Sequence, residues 1–342
     1  MSFRETGFGP SGIITEAVLT RSKYIQDNFE DLVSTKSNLA KFFLMNDHNS
    51  RFREKIGRGP RKRPFFVGPQ IEVPLKHALG SIQWLFGNSP LNTSRFEYGT
   101  LAKYEWKEVV SPPMTISRRQ KAVNRGNDTR LMDIMRTDME AAIDSTIEGL
   151  ETQMAGTAIT FSILGLQNLV EDSPTSAVGG IDRSAFSFWR NYSDTTAIAA
   201  FGTGNAGYRA METAWTNTER GNEVPDVIFT TPDIQRFFKQ YLTENGTWNF
   251  WEHPDVNKDL GITTPWFHGA PVAQSRGIAA SHMYFLNTDT IFLVMMEGED
   301  FVETGVVAGY GRLEEVNYIY AMMSFIITNP PRNGVITSIT GY

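Results

Sequence analysis

Residues 202–207 read GTGNAG, after the apolar run AIAAF and before a helical segment. This is the glycine spacing of a dinucleotide-binding turn, in which the backbone comes close to a pyrophosphate and an acid about 20 residues on binds the ribose. Glu223, followed by the run DVIFTT, could be that acid. The fingerprint also needs a βαβ unit, and no alternating β/α series surrounds it. A turn leading into a helix is the simpler account, with a nicotinamide-dependent enzyme as an alternative. The five histidines, at 48, 77, 253, 268 and 282, show no HExxH pair and no close spacing suited to a metal. Neither a GxSxG elbow nor a Walker-type glycine loop occurs, so acyl transfer and P-loop nucleotide hydrolysis lack their usual scaffolds. No catalytic residue, cofactor or metal site is expected, and the chain does not read as an enzyme.

Charge offers a second kind of chemistry. The formal net charge of −6 gives no global attraction to nucleic acid, so any affinity must come from local patches. RFREKIGRGPRKR sets seven basic residues, Arg51, Arg53, Lys55, Arg58, Arg61, Lys62 and Arg63, against Glu54. Arg118, Arg119, Lys121, Arg125 and Arg130 form a second cluster. Either cluster could face phosphates in a nonspecific, salt-sensitive way. The competing reading is salt bridging across interfaces to acids such as Glu97, Glu140 or Glu151. With no cysteine there is no disulfide framework, thiol nucleophile or cysteine-bound zinc, which suits a reducing cytosol. The start, MSFRETGFGPSG, lacks a secretion pattern, and no apolar run reaches the roughly 20 residues that span a bilayer. A soluble protein without a membrane partner is expected.

These groups must be positioned by folded elements, and at 342 residues the chain can form one large domain or two ordinary ones. Hydrophobic residues at 41% and charged residues at 20% predict a real core rather than a disordered chain. Residues 1–64 read as an irregular arm, with helix within Ile14–Phe43 anchored by Leu32, Val33, Leu39, Phe42 and Phe43. From Phe65 to Pro113 the pattern becomes β, with FFVGPQIEVPL and YEWKEVV alternating apolar and polar residues. The stretch predicts a long hairpin. With arms of roughly 20 residues at about 3.3 Å each it would reach about 65 Å. A lone two-stranded ribbon is marginal in water, so a neighbouring subunit is its natural support. Trp84, Phe86, Phe96, Tyr98, Tyr104 and Trp106 could carry that contact; alternatively they fill the subunit's own surface.

The strongest helical signal runs from Asp128 to Gly156. Leu131, Met135, Met139, Ile143, Ile147, Leu150 and Met154 recur at spacings of three or four, with Asn127 or Asp128 to cap the start and Gly156 to end it. A helix of about 28 residues, ~42 Å long, would act as a spine in an elongated subunit. Beyond it, helices at Ala206–Arg220 and Ile234–Leu242 mix with strands at Asp226–Pro232, Ala270–Gln274 and MYFLNTDTIFLVMM, Met283–Met296, which is an α+β pattern. The tail offers two β runs split by Asn329-Pro330-Pro331 and returns to the sheet beside the long helix.

This order of parts resembles the major capsid proteins of tailed bacteriophages, of the Hong Kong 97 fold. GRGPRKRPFFVGPQIEVPL, YEWKEVVSPPMTIS, GLQNLV followed by GGIDRSAFSFWRN, and MYFLNT strengthen the likeness over roughly residues 50 to 330. The resemblance implies an N-terminal arm (1–64), an extended loop (65–113), a peripheral domain with its spine helix (114–158), an axial domain (159–300) and a return to the peripheral sheet (301–342). It implies a structural protein that assembles with itself into hexamers and pentamers of an icosahedral shell around phage double-stranded DNA. Such a chain would be made in the bacterial host cytoplasm and end in the virion capsid. The family's large scaffolding extension is missing ahead of the arm, so a separate scaffolding protein is expected, with a portal and decoration proteins as further partners. Some members weld their shells through a loop Lys and a neighbour's Asn, assisted by a carboxylate. Lys76 and Lys103 would be the candidates, with Asn329 or Asn333 to answer and Glu314 or Glu315 nearby. An encapsulin-like compartment enclosing cargo enzymes uses the same fold and is the nearest alternative.

Overall fold

The structure is a computed structural model that describes residues 38–44, 65–76, 99–123, 128–196, 200–201, 203–221, 223–244, 264–305, 307–308 and 314–341. In chain order the elements are α1 (Asn38–Leu44), β1 (Phe65–Phe66), β2 (Ile71–Lys76), β3 (Gly99–Tyr104), β4 (Lys107–Val110), β5 (Met114–Ser117) and α2 (Arg118–Val123). The long helix α3 (Asp128–Ala155) and the single turn α4 (Leu166–Leu169) follow, then β6 (Ala177–Val178), β7 (Ile181–Asp182) and β8 (Tyr192–Asp194). Next come α5 (Ala206–Thr218), β9 (Val227–Thr230), α6 (Pro232–Glu244), β10 (Trp266–Phe267) and β11 (Ala270–Gln274). The chain ends with β12 (Met283–Leu286), β13 (Ile291–Met296), β14 (Val302–Glu303), β15 (Val307–Ala308), β16 (Glu314–Asn317), β17 (Ile319–Ile327) and β18 (Gly334–Ile336).

Two sheets organise the body. One has the order β10-β11-β9-β12-β18-β8. Its strands β9, β12 and β18 are buried at every position, and successive side chains enter different cores, because a strand points alternate residues to opposite faces. Ile228, Met283, Phe285 and Ile336 pack with Phe201, Met211, Trp215 and Phe238 from the α5 and α6 side. Val227, Phe229, Tyr284, Leu286 and Val335 pack instead with α1, α3 and the second sheet. That second sheet has the order β1-β13-β17-β14, and β4 also pairs with β17. Met323 of β17 pairs with Met295 on one side and Lys107 on the other, so β17 runs through its middle.

Helix α3 holds 28 residues, as its periodicity predicts, and Met139, Ile143, Ile147, Leu150 and Met154 form its buried stripe. Helix α1 closes the same core: Phe42 lies edge-on to Phe229 at 5.4 Å and Phe43 to Phe325 at 4.9 Å. Glu151 on α3 clamps it, with Oε2 accepting from the Ala40 amide at 2.8 Å and Oε1 accepting from Ser275 Oγ at 2.5 Å. The expected anchors Leu39, Phe42 and Phe43 are therefore core residues.

The sheets do not divide where the linear sequence predicts. The apolar run Met283–Met296 is two strands, β12 in the six-stranded sheet and β13 in the five-stranded one. Asn287–Thr290 makes the crossing between them, and Thr328–Asn333 makes the return crossing from β17 to β18. A buried polar network stitches the two crossings side by side. Asn333 Oδ1 accepts from the Asn287 amide at 2.9 Å, and its Nδ2 donates to Thr290 Oγ1 at 2.8 Å and to the Asn329 carbonyl at 3.1 Å. Asp226 accepts from the Thr288 amide at 2.9 Å and from the Thr288 hydroxyl. Such groups persist in a core only when their bonds are satisfied.

Candidate assembly site

Strands β2 and β3 pair antiparallel from Ile71↔Tyr104 to Lys76↔Gly99, and 22 residues (77–98) join them in sequence. Among the described residues they pair with no other strand. The predicted hairpin is present here, but its outer limits are not: Phe65–Phe66 and Lys107–Val110 leave it to join the five-stranded sheet. The period of two gives the ribbon two faces. Ile71, Ala102 and Tyr104 are buried, while Glu72, Pro74, Lys76, Leu101 and Lys103 are exposed.

The root of the ribbon is fastened to the body at two points, and its two legs are tied to each other at a third. Tyr104 is 3% exposed and donates its hydroxyl to the Ile327 carbonyl at 2.6 Å; burial pushes its phenol pKa up strongly, so it stays neutral. Trp106 is half-buried and donates Nε1 to the Gly68 carbonyl at 2.8 Å. The Lys103 amide donates to the Gly179 carbonyl at 2.9 Å. Tyr104 and Trp106 were candidate inter-subunit anchors; Tyr104 instead fills the chain's own core, and the Trp106 indole N–H is satisfied within the chain. Trp84, Phe86, Phe96 and Tyr98 lie outside the described residues.

The turn that receives the ribbon is the GGIDR segment. Gly179 and Gly180 have φ of +60° and +74°, the left-handed conformation a two-residue hairpin between β6 and β7 requires. A Cβ on Gly179 would lie 3.0 Å from the Tyr104 ring, so a larger residue would have to push the ribbon's root aside by a few tenths of an ångström. Behind the turn, Arg183 is fully buried. Its Nη2 donates to the Asn168 and Leu169 carbonyls at 3.0 and 2.7 Å, its Nη1 to Asn191 Oδ1 at 3.3 Å, and Glu171 stands 3.7 Å away. Burial lowers the guanidinium pKa and the Glu171 carboxylate works against that shift. Trp189 completes the seat, donating Nε1 to the Val178 carbonyl at 2.9 Å. Sequence reasoning singled out this string but not the burial of Arg183, whose type normally faces water.

The remaining candidates are scattered. Arg118 and Arg119 are exposed at the start of α2, on which Lys121 also lies; Arg51, Arg53, Lys55, Arg58, Arg61, Lys62 and Arg63 lie outside the described residues. Lys103 is paired with Glu72 across the ribbon at 3.3 Å, and Lys76 is exposed at its outer end. Asn333 is fully buried in the crossing network, with its side-chain oxygen and nitrogen both bonded within the chain. Asn329 is half-buried at the same crossing, and Glu314 and Glu315 lie on β16, which pairs with β5.

In GTGNAG, Gly204 and Asn205 turn at φ near +60° into α5, and a Cβ on Gly207 would lie 2.5 Å from the Phe201 ring. Close packing of that ring, rather than a phosphate, accounts for the glycine. Glu223 is ion-paired with Arg332 and its backbone bridges Arg220. His268 contacts Glu212 at 2.9 Å and His282 contacts Asp172 at 2.9 Å, each in a separate pair.

No family model and no curated sequence matches the chain. Solved structures do. The cyanophage A-1(L) capsid asymmetric unit is similar over 80% of this chain and 88% of that one, at 18% identity and a TM-score of 0.56. The capsid of a native GTA particle covers 80% and 86% at 10% identity and a TM-score of 0.52, and the capsid of Myoviridae phage XM1 covers 80% and 86% at 10% identity and 0.50. With both sheets, the long helix and the ribbon in place, the chain has the α+β Hong Kong 97-like fold of tailed-phage capsid proteins.

Proposed function

We propose that this chain is a major capsid protein that assembles with itself into hexamers and pentamers of an icosahedral shell around double-stranded phage DNA. The observation that carries the reading is the ribbon: a two-stranded sheet whose root is locked into the chain's own core while its outward face, with Leu101 48% exposed, pairs with no other strand among the described residues. Such a ribbon needs a second surface to be stable, and repeated copies of one subunit supply it. On this reading 65–113 is the extended loop and α3 the spine of a peripheral domain that takes in β13 and β17. The six-stranded sheet is the axial domain, and it reclaims β18 from the tail. Residues 1–64 are the arm, of which α1 docks on the core. Trp84, Phe86, Phe96 and Tyr98 carry the contact to the neighbour, and the basic clusters at 51–63 and 118–121 face DNA or acidic partners. Scaffolding, portal and decoration proteins are the further partners, and the shell forms in the host cytoplasm.

Electron microscopy of the expressed chain, with mass measurement, tests the reading. Closed shells or capsomers of five and six are expected, and addition of a scaffolding protein should sharpen their size. A chain that stays a stable monomer at high concentration would overturn it. Small uniform particles formed by the chain alone around host enzymes would favour the compartment instead.

A further inference from the structure

His282 stands immediately before β12, and both of its ring nitrogens face acceptors. Nδ1 lies 2.6 Å from the Ala280 carbonyl oxygen, and Nε2 lies 2.9 Å from Asp172 Oδ2. A neutral imidazole carries one N–H and would leave one of these short contacts without a hydrogen, whereas the imidazolium donates at both. The arrangement is that of a doubly protonated ring. Tyr284 of β12 stacks beside it, with centroids 6.0 Å apart and planes at 24°, and burial keeps that phenol neutral. β9 and the tail meet this turn through uncharged groups: the Thr230 hydroxyl donates to the His282 carbonyl at 3.0 Å, and the Ile339 amide donates to the Ser281 carbonyl at 3.3 Å. Of the charged groups of the groove beside Ala280 and Ser281, Asp233 and Arg236 of α6 are paired with each other at 3.5 Å, and Arg276 is exposed. The His282 side chain is 16% exposed and that of Asp172 46%, so water reaches the pair and the proton can exchange.

The two partners belong to different parts of the fold. His282 leads into the six-stranded sheet, with its carbonyl bonded to β9. Asp172 lies in the loop after α4 that runs into β6, and so to the Gly179–Gly180 turn under the ribbon. On its other side that loop is braced. The Glu171 amide donates to Asn191 Oδ1 at 3.1 Å and its carbonyl accepts from Asn191 Nδ2 at 2.8 Å. Glu171 Oε2 accepts from the Thr175 and Ser176 amides at 3.0 and 3.2 Å, so a displacement of Asp172 is carried along a bonded loop to the start of β6. We infer that His282 is a proton-operated latch: doubly protonated, it ties the turn before β12 to the loop that carries the ribbon's seat, and loss of one proton frees that loop. Histidine titrates between about pH 5 and 8, so the latch is shut at the acid end of that range and released at the alkaline end.

The test uses the whole chain below any concentration at which it assembles, so its outcome is independent of the shell reading. With the histidine rings isotope-labelled for NMR, and the signal identified by its absence in His282→Ala, His282 is expected to carry protons on both nitrogens at about pH 5.5 and on one at about pH 8.5. Hydrogen exchange read by mass spectrometry, corrected for the intrinsic effect of pH, should show the amides of the loop from Asp172 to Gly180 opening about tenfold more often at the higher pH. Asp172→Asn tests the proton itself, because an amide side chain can donate to a neutral ring or accept from a charged one and so holds at either pH. Its corrected exchange should change by less than about twofold between the two conditions, and His282→Ala should be open at both. A wild-type ring with one proton at the lower pH, a wild-type loop equally protected at both, or an Asp172→Asn profile that follows the wild type refutes the latch.

Discussion

Arg183→Ala is expected to destabilise the unassembled chain by about 3–5 kcal/mol, the range for removing one member of a buried, hydrogen-bonded charge network. The figure can be built from the site. The guanidinium is 0% exposed and caps two backbone carbonyls, those of Asn168 and Leu169. Each buried acceptor left without a donor costs about 1–3 kcal/mol. The Glu171 side chain is 28% exposed and stands 3.7 Å off, so the ion pair itself contributes little to the loss. A cavity adds the rest. Arg183→Met separates these parts: it refills most of the stem volume but supplies no donor, so it should recover the cavity cost and remain about 2 kcal/mol or more below wild type. Arg183→Lys keeps the charge yet cannot serve the fork of acceptors that a planar guanidinium reaches.

Urea unfolding below the assembly concentration, followed by tryptophan fluorescence, is the assay. Trp189, one of seven tryptophans, is 2% exposed and bonded to Val178 beside the site, so its exposure on unfolding adds to the signal. The slope of the transition must be unchanged for the midpoints to be compared as stabilities. Arg183→Ala within about 1 kcal/mol of wild type, or Arg183→Met equal to it, would show that water or another donor reaches the two carbonyls and that the arginine is no strut.

Gly179→Ala should cost about 1–3 kcal/mol, because a left-handed backbone and the Tyr104 contact both oppose it, whereas Gly180→Ala, with φ +74° and open space around it, pays only the backbone term. Equal losses in urea melts would deny the contact with the ribbon. Asn333→Ala removes the acceptor of the Asn287 amide and two donated bonds, and a loss of about 2–3 kcal/mol by calorimetry is expected; a change within 0.5 kcal/mol, roughly that of an ordinary surface site, would contradict the stitching role. The Asp182 carboxylate accepts from the Ser184 hydroxyl at 2.7 Å and amide at 2.8 Å, which hold its pKa below the usual 3.8. Its contribution is therefore complete above the unfolded value and lost as pH falls through the lower folded one. Asp182→Asn should flatten that acid limb, and a carboxyl that titrates by NMR at or above 3.8 would contradict the account. Phe43→Ala should cost about 3–5 kcal/mol, since the ring is 4% exposed against Phe325; a loss under about 1 kcal/mol would mean that α1 does not seat on this core.

Much of the secondary structure was legible because local period reports it. The stripe from Met139 to Met154 predicts α3 to within a residue, and α5, α6, β9 and β11 fall within two residues of the predicted segments. Which sheet a strand joins was not legible: MYFL and IFLVMM are equally apolar, and their partners, β9 and β18 for one and β17 for the other, are chosen by contacts far along the chain. The fates of Tyr104 and Trp106 were undecided for a related reason. Alternation places both on one face of a strand, but a single strand cannot say whether that face meets its own core or a neighbour's. Arg183 was hidden by its residue type. The two glycines before it were the available signal, since a tight turn folds the next residues back on the chain.

A ribbon meant to lie on another molecule has to leave its own at a fixed angle, or each subunit would reach a different place. The root supplies that angle through a buried phenol to Ile327 and an amide to Gly179, on two separate segments of chain, while an indole to Gly68 ties the ribbon's own two legs together. This explains why the aromatic residues of 65–113 need not share one role. Tyr104 lies where direction is set, and its energy belongs to the folded chain. Trp84, Phe86, Phe96 and Tyr98 belong to the 22-residue stretch beyond the last described pair, Lys76↔Gly99, where a neighbour would be met. On the shell reading, a subunit fixed at the ribbon's root can keep one fold while the stability of the assembly is decided by contacts between copies.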